Sequence, residues 1–284
     1  MKNSWAPSNL DGSGEIFETL HSGLKVKLIA TPRSDFRTCH ANEHVSAVLR
    51  RNIDSYDFIP VVSDGAGGSQ HIIGLFHAAN YTDHEGIGDR IQDHFNSLSE
   101  DFIIGADASI LDFIKDADAK PCRLVVSGSN IIGLVSLSDL QKLPVRAVLF
   151  ALITGFEITM MEAIKRTYKS ETHWMNSLSL ERRQNVEYQK SKSEEADAIV
   201  DTLLFTQFAD KKTLVKKQLP KTRPKKSFEK ALRTIESLRN KIAHANEYAN
   251  TPTHARSVCK TVRELLQFRL EIAGLQPNIQ APKP

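Results

Sequence analysis

The hydrophobic positions follow two different rules along the chain. Up to about residue 143 they cluster in short continuous runs, "FIPVV", "RLVV" and "IIGLV", flanked by Gly, Ser, Asn and Asp. Runs of that length bounded by turn residues predict buried strands. Beyond Pro144 the strand signals stop, and apolar residues recur with a period near 3.6, which predicts helices. The expected architecture is α+β: a repeated strand-and-helix unit over 23–143, then an all-α helical bundle over 144–284. Residues 1–22, rich in Ser, Gly and Asn, are expected to form a flexible tail.

The first half contains an internal repeat. "HVSAVLRRNIDSYDFIPVVSDGAGGSQHIIGLFHAAN" and "ASILDFIKDADAKPCRLVVSGSNIIGLVSLSDL" each read as helix, strand, turn, strand and a new helix start. "IIGLF" from Ile72 and "IIGLV" from Ile131 mark equivalent positions. One supersecondary unit is therefore used twice.

The second half predicts a helix over 145–169, and two helices or one broken helix over 178–217. Ile199, Leu203, Leu204, Phe208 and Leu214 form the apolar face of that second stretch. Ser227 reads as the N-cap of a helix running to about Tyr248. A last helix is expected from about Ala255 to Ala273, ended by Gly274. On a helical wheel Phe228, Ala231, Leu232, Ile235, Leu238 and Ile242 form one core stripe. Asn240 and His244 share a face nearly opposite it, and Arg239 falls at the stripe's edge. A guanidinium there is costly to desolvate unless an anion answers it. Glu162 is one candidate mate for Arg239; Glu162 with Arg166 as an intrahelical pair is the other reading.

Charge separates the halves further. Residues 1–143 hold 12 Lys/Arg and 19 Asp/Glu, a balance of −7, whereas 144–284 hold 25 and 15, a balance of +10. A basic half suits a polyanionic partner, although a solvated basic surface has the same composition. The run "KKTLVKKQLPKTRPKKSFEK" leads into the Arg239 helix and offers Lys216, Lys217, Lys221, Arg223, Lys225 and Lys226 as RNA-backbone contacts. Aromatic residues that could stack on bases are few there, so base-specific readout is not supported. The composition fits a globular protein and neither a collagen-like nor a disordered one. The most apolar stretch, "VRAVLFALITGFEITMMEAI", carries Arg146, Glu157 and Glu162, which argues for a buried helix over a membrane span. Three scattered cysteines and no signal-peptide pattern lead us to expect reduced thiols and a cytoplasmic protein. No convincing metal cluster is present; the nearest candidate is His40 with His44 in "HANEH".

The paired units, with "DFIPVV" followed by "IIGL", resemble a tandem pair of cystathionine-β-synthase (CBS) domains. That resemblance implies binding of an adenine-containing nucleotide such as AMP, ATP or a cyclic oligoadenylate. The family's recurring site is matched by Gly133, Leu134, Val135, Ser136, Leu137, Ser138 and Asp139. Ser136, Ser138 and Asp139 are the candidate ligand-binding residues; a capping box accounts for Ser136 and Asp139 equally well. In the first repeat His77 and Asn80 stand where the second has Ser136 and Asp139.

"RNKIAH", Arg239 to His244, resembles the Arg-x4-His motif of HEPN domains, helical bundles many of which are metal-independent ribonucleases. The resemblance implies a homodimer in which two motifs share a cleft. There an RNA 2′-hydroxyl attacks the adjacent phosphate, with Arg239, Asn240 and His244 as the catalytic set and no cofactor needed for the chemistry. Joined to a nucleotide sensor, it implies a toxin-like or antiviral defence role. A non-catalytic adaptor that binds RNA or protein is the other reading, and a CBS pair serving only dimerisation is a third.

Overall fold

The computed structural model describes residues 22–65, 68–81, 88–196, 198, 200–219 and 225–275, and all structural statements here concern those residues. The chain divides into two compact units, Leu24–Val145 and a second unit from Arg146 onward.

The first unit holds two four-stranded sheets. In one, β2 (Cys39–His40) runs parallel to β3 (Phe58–Asp64), and β4 (Gln70–His77) pairs antiparallel with both β3 and β5 (Asn96–Ser97). In the other, β6 (Ile103–Gly105) runs parallel to β7 (Cys122–Ser127), and β8 (Asn130–Ser136) pairs antiparallel with both β7 and β1 (Thr31–Pro32). Helix α1 (Val45–Arg51) joins β2 to β3, and α2 (Ile110–Asp116) joins β6 to β7. Short 3-10 turns, Ala78–Asn80 and Leu137–Gln141, follow β4 and β8 where the sequence suggested helix starts. An apolar cluster combines Val62, Ile72 and Leu75 of one sheet with Cys122, Leu124 and Leu134 of the other. Covered on both faces, β3 and β7 read as continuous apolar runs rather than alternating ones.

Each repeat is completed by the segment that precedes the other. Val26 N–H donates to Ala108 O at 2.9 Å and Lys27 N–H to Ala106 O at 3.1 Å, while Ile110 N–H donates to Leu24 O at 2.9 Å. The matching bonds are Ile91 N–H to Glu43 O at 3.0 Å, Gln92 N–H to Ala41 O at 2.8 Å, and Val45 N–H to Asp89 O at 3.0 Å. In the same way β1 adds an edge to the second sheet and β5 an edge to the first.

This exchange explains the glycine of the repeated "IIGL". A Cβ on Gly133 would lie 2.6 Å from Thr31 O of the exchanged strand, and one on Gly74 would lie 2.1 Å from Asn96 O. Both glycines follow a register shift in the hairpin, at Val61/Val62 and at Val125/Val126. The glycines therefore let a foreign backbone cross close over a bulged strand.

The second unit is helical: α3 (Leu143–Thr167, whose first turn holds the unit boundary), α4 (Glu171–Met175), α5 (Leu180–Glu195), α6 (Phe208–Gln218), α7 (Lys225–Ala243) and α8 (Pro252–Ala273). Helix α3 is long and apolar enough to cross a membrane, and 56% of its most apolar window is buried in the protein. The core stripe of α7 is buried along its length, from Phe228 at 1% to Ile242 at 5% exposure.

Four expectations need correction. Leu204, expected on an apolar face, is exposed, because it sits in the 3-10 turn Thr202–Phe205 rather than in a helix; Ile199 lies outside the described residues. Ser227 is no N-cap; it falls inside α7, which begins at Lys225. That helix ends at Ala243 rather than at Tyr248, for reasons given below. The last helix starts three residues early, because Thr251 accepts from His254 N–H at 3.1 Å and Pro252 occupies its first turn.

Gly74→Ala and Gly133→Ala are each expected to lower unfolding stability by about 1–3 kcal/mol through overpacking. Gly105→Ala meets nothing closer than 3.9 Å, and should change stability by less than about 0.5 kcal/mol. Urea unfolding of the three variants checks this contrast.

Candidate functional site

Glu157 lies in the middle of α3 among apolar residues, and its side chain is 19% exposed. A carboxylate so placed requires cations. Lys211 of α6 lies 3.6 Å from it and Arg239 of α7 donates to it from Nε at 3.3 Å. Lys211 is 5% exposed on its side chain and also donates to Thr206 O at 2.7 Å. Burial pushes its ammonium pKa down, and Glu157 opposes that shift. Glu157, not Glu162, is thus the mate of Arg239. Among the described residues no ion pair joins Glu162 to Arg166. Arg166 instead donates from Nε to Leu275 O at 2.9 Å and from Nη2 to Ala273 O at 2.8 Å, at the C-terminal end of α8. A cavity of about 330 Å³ adjoins the trio; Phe150, Ile153, Ile158 and Met161 contribute apolar wall, and Glu157, Lys211 and Arg239 line it as well.

Helix α7 ends at Ala243, directly before His244. Asn246 N–H donates to Lys241 O at 2.9 Å and Ala245 N–H to Ile242 O at 3.3 Å, with Ala245 at φ 54°. This is the left-handed termination that closes a helix after its last orphan carbonyls. Arg146 of α3 adds donors to this end: Nη1 donates to Ile242 O at 3.1 Å and Nη2 to Asn246 O, just past the helix, at 2.8 Å. Its guanidinium also lies 5.0 Å from the ring centre of Tyr248. These contacts stop α7 five residues before Tyr248, which is buried.

Arg239 is half-buried, whereas Asn240 and His244 are exposed. Arg239 Nη1 reaches Asn240 Oδ1 at only 3.4 Å. The His244 ring makes no hydrogen bond or ion pair among the described residues. Within one chain the three side chains therefore do not converge into a bonded triad.

The basic run divides. Lys212 pairs with Glu236 at 2.5 Å and Lys216 with Glu229 at 2.9 Å, while Lys217 donates to Ser177 O at 2.7 Å. These lysines knit α6 to its neighbours. Lys226 is exposed on α7. Lys221 and Arg223 lie outside the described residues, as does the side chain of Lys225.

At the end of β8, Ser136 and Asp139 form a reciprocal capping box. Asp139 Oδ2 accepts from Ser136 N–H at 2.6 Å, and Oδ1 lies 2.7 Å from Lys142 Nζ. The carboxylate is buried, and Ser136 Oγ lies 2.8 Å from Ser138 Oγ. Any ligand using Asp139 must compete with Lys142. In the first repeat His77 stacks on Phe58, with ring centres 4.2 Å apart and planes 9° from parallel. Burial pushes the His77 pKa down, against a smaller upward pull from Asp57.

His40 and His44 form no metal set, and no group of three candidate ligands occurs among the described residues. Cys39, Cys122 and Cys259 are buried thiols, none of them in a disulfide. Burial is the main reason the Cys39 thiol is pushed up to about 12, with Glu43 adding to it.

Glu157 and Arg146 have a signal in the sequence, since both are charges inside the most apolar stretch. Lys211 does not; it is one lysine in a run of nine basic residues. Arg146→Ala is expected to cost about 2 kcal/mol, since charge-assisted bonds to helix-terminal carbonyls are lost. Thermal unfolding measures it, and Arg146→Lys should recover only part of the loss because a point charge cannot serve several carbonyls in one plane.

No family model and no curated protein matches the chain. Solved structures do. The CBS domain of a bacterial CNNM/CorC family Mg2+ transporter in complex with ATP is 18% identical, with 47% of this chain and 94% of that chain covered and a TM-score of 0.36. A hemolysin-like protein containing a CBS domain from Oenococcus oeni PSU is 14% identical over 47% of this chain and 96% of that chain, with a TM-score of 0.35. A CBS domain protein from Streptococcus pneumoniae TIGR4 is 16% identical over 50% of this chain and 99% of that one, with a TM-score of 0.36.

Proposed function

We propose that the protein is a nucleotide-regulated, metal-independent endoribonuclease of HEPN type that acts as a homodimer in the cytoplasm. The observation that carries this reading is the end of α7. Glu157 holds Arg239 through Nε, and the capped terminus presents His244 to solvent. A guanidinium tethered at Nε, with Nη1 in only a long contact to Asn240 Oδ1 at 3.4 Å, keeps Nη2 for a phosphate. In the proposed step one copy of His244 takes the proton of an RNA 2′-hydroxyl. The 2′-oxygen attacks the adjacent phosphorus and the P–O5′ bond breaks. A protonated second copy of His244 gives its proton to the leaving 5′-oxygen, and a 2′,3′-cyclic phosphate remains. Arg239 offsets the charge that builds on the phosphoryl oxygens, and Asn240 orients the phosphate.

The unit Leu24–Val145 acts in this proposal as a CBS pair that binds an adenine-containing nucleotide. Its support is the reciprocal completion of the two repeats and the Ser136–Asp139 turn. Regulation requires the nucleotide to bind the active and inactive arrangements with different affinity. A toxin or phage-defence role follows from joining such a sensor to such a nuclease.

One observation favours a second reading, a non-catalytic adaptor that binds RNA or protein: Arg239 already has a carboxylate partner. The two readings differ in an assay of purified protein on RNA in EDTA across a nucleotide panel. The nuclease reading expects cleavage that falls about 10²–10⁴-fold in His244→Ala and about 10²–10³-fold in Arg239→Ala. Absence of cleavage under every nucleotide leaves the adaptor.

Calorimetry with AMP, ATP and a cyclic oligoadenylate is expected to give binding by at least one. Asp139→Asn can still cap the turn but loses the carboxylate. At least tenfold weaker nucleotide binding in that variant is expected; unchanged affinity would return Asp139 to a capping role.

A further inference from the structure

Most of the lysines proposed from sequence as RNA contacts that can be described are committed within the protein. Lys216 and Lys217 hold Glu229 and Ser177, and their neighbours Lys211 and Lys212 hold Glu157 and Glu236. The uncommitted cations lie elsewhere. At 100° per residue, Lys226, Lys230, Arg233, Ser237, Lys241 and His244 fall within about 60° of one line along α7. That line faces away from the buried stripe of Phe228, Leu232 and Ile235. From Lys226 to His244 it spans 18 steps, about 27 Å at 1.5 Å per residue. Lys226, Lys230 and Lys241 have no ion-pair partner among the described residues. Arg233, whose side chain is 70% exposed, shares Glu229 with Lys216. A shallow concavity of about 460 Å³ lies over the first half of the line, between Lys226 and Ser237.

We propose that this outward face of α7 is a track for the sugar–phosphate backbone of single-stranded RNA, leading along the helix to His244. The proposal rests on RNA being the substrate. Charge complementarity selects a polyanion. The surface chemistry selects among polyanions and partners. No large apolar side chain of α7 is exposed, so the face lacks the anchors that a membrane or a protein hot spot requires. It also carries no aromatic residue on which bases could stack, so binding along it is independent of sequence. The run of lysines in α6 then has a different duty: it neutralises the acidic edge of α7, Glu229 and Glu236, and leaves the outward face positive.

The experiment uses the full-length His244→Ala protein, so that binding is read without cleavage. A labelled 12-residue oligouridine RNA is titrated by fluorescence anisotropy from 50 to 300 mM NaCl. The triple variant Lys226→Glu, Lys230→Glu, Arg233→Glu is expected to bind at least tenfold more weakly at 100 mM. Its salt slope should shrink by about 2, or about 0.7 for each of three lost phosphate contacts. The comparison variant Arg256→Glu, Lys260→Glu, Arg263→Glu makes the same charge change on α8 and should stay within threefold of the parent. Melting midpoints confirm that both variants are folded. Equal weakening by both variants would show a net-charge effect and overturn the track, as would an unchanged slope in the α7 variant or stronger binding to phosphatidylglycerol vesicles than to RNA. Failure of the ribonuclease reading is separate. A His244-intact protein that binds RNA on this face without cutting it keeps the track and loses the enzyme. One that cuts RNA while the α7 variant binds unchanged keeps the enzyme and loses the track.

Discussion

A carboxylate inside an apolar helix must be answered, and the helical unit is organised by the answer. Glu157 draws Lys211 from α6 and Arg239 from α7 onto α3. The same helix contributes Arg146 to the C-terminal end of α7 and Arg166 to that of α8. Arg146, Glu157 and Arg166 of α3 thus fix the roll of α7 at Arg239, its end point at Ala243, and the end of α8. Removing Glu157 would leave the buried Lys211 ammonium without a carboxylate, so that pairing is enforced by the cost of breaking it more than by the energy of forming it.

The consequence for function is positional. Because Arg239 is pinned to the core edge, Asn240 and His244 must face outward, along with the cations that precede them on the same side of the helix. The first unit uses a different constraint. Its two repeats exchange their leading segments, so neither closes its sheet alone, and a glycine is needed wherever an exchanged strand crosses. A unit built that way folds as a pair.

Much of this was legible in the residues. The repeat showed in "IIGLF" and "IIGLV", and the core stripe of α7 followed from its period. What the pattern could not give was any contact between distant segments. The edge strand Thr31–Pro32 is two residues long and has no periodicity to detect. The glycines were visible as a repeat, but their reason lies in backbone supplied from elsewhere. Glu157 was visible as a misplaced charge; its partners were not, because Lys211 looks like its basic neighbours. Ser136 and Asp139 show a limit of another kind: a capping box and a ligand site are spelled with the same letters, and the fold places the box without deciding the ligand. In the basic run, charge alone does not tell which lysines are already paired: Lys216 and Lys217 have partners within the protein, whereas Lys226 is exposed.

The central claim is that the Arg239–His244 end of α7 performs transesterification on RNA. The most direct test is the chemistry of the new ends after total RNA is incubated with the purified protein in EDTA. Fragments ending in a 2′,3′-cyclic phosphate, opposite 5′-hydroxyl ends, are the predicted result. New ends bearing 3′-hydroxyl groups, or none with any nucleotide present, would contradict it.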